Sequence, residues 1–162
     1  MPTNLHSHRA TSVLFVVLVS VLAAACSSSS SSSDPLTEER LTKFANELSW
    51  PRGAPPSVLE LRRFGKAEQT TDSAGLLVQR ANACSWYVEW INLADNHEPI
   101  PATLLDTLAR DLPKLSFLSD ISGGREAFET MARQAKANDR PPIARYLQLN
   151  RCESLGVEWN SE

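Results

Sequence analysis

The sequence predicts an all-α domain, a compact bundle of five or six helices around one central apolar helix. Three observations carry this. First, Ala81 to Asn96 (ANACSWYVEWINLADN) holds two of the four tryptophans and one of the two cysteines beyond residue 26. On a helical wheel its Leu93, Trp86, Trp90, Tyr87, Ile91, Cys84 and Val88 spread over roughly 220°. Second, helix-start signals recur between apolar runs of helical spacing. Third, no stretch alternates apolar and polar residues as a half-buried strand would.

Taken in order, Asp34 followed by Pro35 is a helix start, since Asp caps and Pro is tolerated at the first helical position. Glu38 and Glu39 suit the positive end of the helix dipole, and Leu41, Phe44, Ala45 and Leu48 form one face of a helix over about 35–49. Trp50-Pro51-Arg52-Gly53-Ala54-Pro55-Pro56 then turns the chain. Ser57 with Glu60 fits a capping box opening a second helix that presents Val58, Leu61 and Phe64, with Gly65 weakening its end. Thr70 to Ser73 is either a turn or a continuous run into the central helix. Ala74, Leu77, Ala81, Cys84, Val88 and Ile91 recur three and four apart, so the central helix begins near Asp72 or Ser73. Its polar strip is Ser85, Asn92, Glu89, Asn82 and Asn96.

After the His97-Glu98-Pro99-Ile100-Pro101 loop, Leu104, Leu105, Leu108 and Leu112 mark a helix that Pro113 must end or kink. Leu115, Phe117, Leu118 and Ile121 make a short apolar piece. The next helix, about 125–138, buries Ala127, Phe128, Met131 and Ala135. A last helix after Pro141-Pro142 turns Ile143, Tyr146, Leu147 and Leu149 inward and reaches Cys152.

The 162 residues suit one domain with a leader and linker. Beyond residue 25, 15 basic side chains face 19 acidic ones without long runs of either sign. That balance argues against a nucleic-acid partner and against electrostatic capture by anionic membranes.

Chain start and cysteines carry the remaining information. Met1 to Ser12 contains Arg9, and Val13 to Ala25 is an apolar run too short for a permanent span, so residues 1–25 read as an export signal. Leu22, Ala23, Ala24, Ala25 and Cys26, followed by seven serines, resemble the lipobox of a bacterial lipoprotein precursor. The resemblance implies a diacylglyceryl group on the Cys26 thiol, cleavage before Cys26, and acylation of the new amino group. It covers only the first 33 residues. The usual pattern has a Leu-like residue three before the cysteine, where this chain has Ala23. Ala23 and Ala25 also form an Ala-x-Ala site, whose cleavage would release a soluble protein. Residues 26–33 then serve as lipidated cysteine and serine tether, with a random-coil reach of about 15 Å, and 34–162 as the helical domain.

In the oxidising compartment that export implies, Cys84 and Cys152 remain as the available pair. Their bridge would close a loop of about 69 residues and stabilise by roughly 4 kcal/mol. A Cys-x-x-Cys redox motif is missing from the sequence.

Little else points to chemistry. His97 is the sole histidine beyond the leader, so neither a metal nor another cofactor is expected; Asp95, Asn96, His97 and Glu98 read as a helix end and turn. Ser122-Gly123-Gly124-Arg125 is an ordinary capped turn or a minimal anion nest. Arg62-Arg63, Arg133 with Lys136, and Arg140 with Arg145 read as solvated helix faces, some paired at one-turn spacing with Glu60, Glu126 or Glu129. Trp86, Tyr87 and Trp90 are core packing or the wall of a ligand or partner surface. The leading expectation is a lipid-anchored protein on the extracytoplasmic face of the cell membrane, binding or scaffolding another envelope protein without catalysis. The alternatives are a carrier or sensor of a small apolar ligand lined by those aromatics, and a hydrolase using Glu89 and Asp95.

Overall fold

The computed structural model describes residues 36–68, 73–156 and 159. The export signal, Cys26, the serine tether and the Asp34-Pro35 helix start lie outside the described residues, as do 70–72. Among those described there are six α-helices and no strand, which is the all-α fold the sequence predicts.

Thr37 opens the first helix, α1 (Glu38–Asn46), its side chain accepting from the Arg40 N–H. Leu41 and Ala45 are buried, with Phe44 and Leu48 half-buried beside them. Helix α2 (Val58–Ala67) has both halves of the capping box: the Ser57 hydroxyl accepts from Glu60 N–H, and the Glu60 carboxylate accepts from Ser57 N–H at 2.6 Å. Gly65 lies two residues before the end of this helix. It is buried within it, and a Cβ there would stand 3.0 Å from Leu77 Cδ2, so the missing side chain is what lets α2 approach α3.

Helix α3 (Ala74–Asp95) starts from Ser73, whose hydroxyl accepts from the Leu76 N–H. Because Ser73 has an extended backbone, α2 and α3 are separate helices. Twelve of the 22 residues of α3 are buried, and α3 packs against α1, α2 and α6 (Arg140–Leu149). The expected solvated strip is only partly so. Asn82 and Ser85 are buried, because the loop after α1 lies across them.

Helix α4 (Ala102–Asp106) passes into a wider, π-type turn over Thr107–Asp111 and a tight 3-10 turn over Leu112–Lys114. Pro113 supplies no N–H, so the ladder cannot continue unchanged through it. Leu104, Leu108 and Leu112 still reach the core. In the following 3-10 segment Ser116–Asp120, Phe117 and Leu118 are buried, whereas Ile121, just after it, is 47% exposed.

Helix α5 (Gly124–Lys136) buries Phe128, Met131, Ala132 and Ala135; Ala127 faces solvent, one residue off the buried stripe. Helix α6 contains Pro141 and Pro142 in its first turn instead of following them, since the first N–H groups of a helix need no intrahelical acceptor. Ile143 and Leu147 are buried, Tyr146 is half-buried, and Leu149, the last residue of the helix, is 70% exposed. A 3-10 turn, Cys152–Leu155, packs on α2 and α3. No helix among the described residues is long and apolar enough to cross a membrane.

Candidate functional site

Cys84 and Cys152, both fully buried, are joined by a disulfide with a Cα–Cα distance of 5.5 Å. The pairing is the one the sequence predicts, but the last helix stops at Leu149 short of Cys152, so the bridge ties the Cys152–Leu155 turn, and not the helix, to the middle of α3.

The three aromatics of α3 part company. Tyr87 and Trp90 are fully buried. The Tyr87 ring meets Phe128 and Tyr146 edge-on, at centroid distances of 5.8 and 5.2 Å, and Phe117 and Tyr146 close on Phe128 in the same manner at 5.8 and 5.5 Å. Such edge-to-face contacts add to the area these rings bury and join α3, α5 and α6 at one aromatic centre. The Tyr87 hydroxyl and the Trp90 indole N–H find no hydrogen-bond partner among the described residues. Burial raises the Tyr87 pKa well above the usual tyrosine value, with Tyr146 adding to the rise. Burial likewise raises that of Tyr146, whose phenol feels Arg80 and Glu68, themselves paired at 3.2 Å.

Trp86 is half-buried and does something else. Its indole N–H donates to the Ser49 carbonyl at 3.2 Å, and the Asn82 amide donates to the same oxygen at 2.7 Å. Trp50 Nε1 donates to Ala45 O at 2.8 Å, and Arg52 pairs with Glu89 at 3.0 Å. Three side-chain contacts therefore hold the proline-rich loop 49–56 along one side of α3, and the Trp50 bond ties it back to α1.

Between that loop, α3 and the final 3-10 turn runs a groove of about 240 Å³. Trp50, Pro55 and Pro56 form one wall, Ser85 and Val88 the floor, and Leu155 the end. Two carboxylates, Glu60 and Glu89, reach it, yet each is already held, the first by the Ser57 N–H and the second by Arg52. The hydrolase pair expected from sequence does not converge. Asp95 lies six residues beyond Glu89, about 9 Å along the helix axis, and grips Arg140 in a two-pronged pair at 2.5 and 3.0 Å. This hydrogen bond, more than their charge attraction, raises the Arg140 pKa. Arg140 is thus an interhelical tie, not a solvated charge.

A second cleft of about 440 Å³ separates the C-terminal ends of α3 and α5, lined by His97, Glu98, Lys136 and Asn138 with Ile100 and Leu105. His97 and Asn138 both have φ +56°. They are the left-handed residues that stop the two helices, with Glu98 N–H donating to Leu93 O and Asp139 N–H to Gln134 O, each at 2.8 Å. Among the described residues no group of three or more His, Cys, Asp or Glu side chains comes together. Gly123, at φ +71°, caps α5, and a Cβ on Gly124 would lie 3.0 Å from Leu118 O. Both glycines of the nest motif therefore have a steric reason to be there.

Trp86, Tyr87 and Trp90 line neither groove. Sequence reasoning missed the Ser49 carbonyl, Arg52 and Arg140; only the Trp50–Pro56 run, with three prolines beside a tryptophan, signalled that this loop had a surface of its own. Comparison of the chain with protein-family models, with curated proteins and with solved structures gives no match, so nothing points to an enzyme family.

Proposed function

We propose that the chain is a lipid-anchored protein on the extracytoplasmic face of a bacterial cell membrane, where its helical domain binds or scaffolds another envelope protein without catalysing a reaction. The observation that carries this is the disposition of the three cysteines. Cys84 and Cys152 are bridged inside the core, which suits an oxidising compartment, and Cys26, at the lipobox-like site, is left for the lipid. Two or three acyl chains would make the attachment stable, where one would be marginal. The groove beneath loop 49–56, lined by Val88, Trp50 and prolines, supports a binding role; its carboxylates are engaged in holding the structure.

Expression of the full chain in a bacterial host, with intact mass and membrane fractionation, tests the anchor. The wild type should be membrane-held with an acylated Cys26 at its new N-terminus, and Cys26→Ser should be left unprocessed or released. Processing and membrane retention of the serine variant like the wild type would overturn the reading. Purification of the acylated wild type from membranes should bring one envelope protein with it, and Arg52→Glu, which reverses the charge at the groove's rim, should release that protein.

A further inference from the structure

Helix α2 gathers onto one face charges that look scattered in the sequence. Its buried side is Leu61, Phe64 and Gly65. Opposite these, Leu59, Arg62, Arg63 and Lys66 fall within an arc of about 100° at helical periodicity. All four are exposed, Leu59 by 67%. Arg62, Arg63 and Lys66 form no ion pair among the described residues. The acids of the same segment are engaged elsewhere, Glu60 in the Ser57 capping box and Glu68 with Arg80. The result is a one-sided basic stripe with an apolar tip on a domain whose overall charge is negative.

We propose that this stripe docks on the anionic phospholipid head groups of the bilayer that holds the chain, with Arg62, Arg63 and Lys66 against phosphates and Leu59 entering the head-group layer. The proposal rests on the lipid-anchor reading. Charge complementarity selects an anionic surface, and the serine tether read from the sequence, reaching about 15 Å, places the bilayer beside the domain. The net negative charge repels an anionic membrane from the domain as a whole, so only a local patch can serve. Each Lys or Arg at such a surface strengthens the contact about fivefold, so three amount to about a hundredfold. That is weak for a free protein but sufficient for one held there covalently, because the anchor replaces diffusion by a high effective concentration. Contacts of this kind are screened by salt. Docking would lay α2 against the bilayer and fix which faces of the domain point outward.

The test is amine acylation of the acylated full chain in phosphatidylcholine vesicles with and without phosphatidylglycerol, read residue by residue by mass spectrometry. Lys114 and Lys136, exposed on other segments, are the internal references. Labelling of Lys66 relative to both should fall several-fold on vesicles containing phosphatidylglycerol, and high salt should restore it. In the double variant Arg62→Gln, Arg63→Gln the protection should largely vanish, with circular dichroism unchanged. A chain that floats with both vesicle types while Lys66 reacts equally on each overturns the docking alone. A chain that floats with neither overturns the anchor and the docking together. Protection of Lys66 only in native envelopes, and not on either lipid surface, would assign the stripe to a protein partner and likewise overturn the proposal.

Discussion

Replacing Cys84 and Cys152 together by alanine removes a cross-link between residues 68 positions apart. Without it the unfolded chain regains the freedom of that loop, which on the chain-entropy model is worth about 4 kcal/mol. Both sulfurs are fully buried, so their loss adds a small packing defect of about 1 kcal/mol. A domain of this kind has a total stability of about 5–15 kcal/mol, so the variant should be marginal, and its melting temperature should fall by 10 °C or more, to order of magnitude. Urea unfolding followed by circular dichroism measures the effect. The midpoint should drop and the denaturant slope should rise, because the unfolded state without the cross-link exposes more surface. Wild-type chain unfolded and refolded in reductant provides the same comparison without altering core volume. A loss below about 1 kcal/mol in both would refute the view that the bridge acts by restricting the unfolded chain.

Other outcomes can be stated more briefly. Gly124→Ala should destabilise by about 1–3 kcal/mol in the same assay, although alanine is the better helix former by about 1 kcal/mol, because its Cβ would press on Leu118 O and Ile121. Asn82→Ala removes one of the two donors on the Ser49 carbonyl; a loss of about 1–2 kcal/mol and faster proteolysis at loop 49–56 are expected. The two tyrosines of the chain both have raised pKa values through burial. A raised folded value means the folded state holds its phenol protons more tightly, so stability is intact below the ordinary tyrosine pKa of about 10 and declines as pH climbs beyond it. Tyrosinate absorbance should therefore appear together with the loss of circular dichroism, and tyrosinate forming in a fully helical protein would contradict the shielding of the two phenol groups from water.

The fold was legible where a single helix carries its own signal. Leu41 with Ala45, Leu61 with Phe64, and Ile143 with Leu147 show their spacing in the sequence and are buried. The Ser57 and Glu60 box works through residues three apart, and the two cysteines beyond residue 26 leave one pairing. What was not legible depends on partners distant in sequence. Asn82 reads only as part of a polar strip, yet it is buried, its amide donating to a carbonyl 33 residues away. Asp95 and Arg140 are 45 residues apart, and nothing local to either reveals the other. Gly65 reads as weakening the end of a helix, and nothing local to it shows the close approach of Leu77. Leu149 obeys helical spacing but sits where α6 ends and nothing covers it. Trp86 belongs to the apolar arc by wheel angle, and it took the position of Ser49 to show that its N–H secures a loop.

The Cys84–Cys152 bond also turns most of the second half of the chain, residues 84–152, into a closed covalent ring that includes α4, α5 and α6. A protease that severs one peptide bond anywhere between the two cysteines opens the ring but releases no fragment, since both ends stay attached to the same α3. The nicked molecule gains only the water of hydrolysis and holds every piece within reach of its original neighbours, and so can close up again after damage that would cut an unbridged bundle in two.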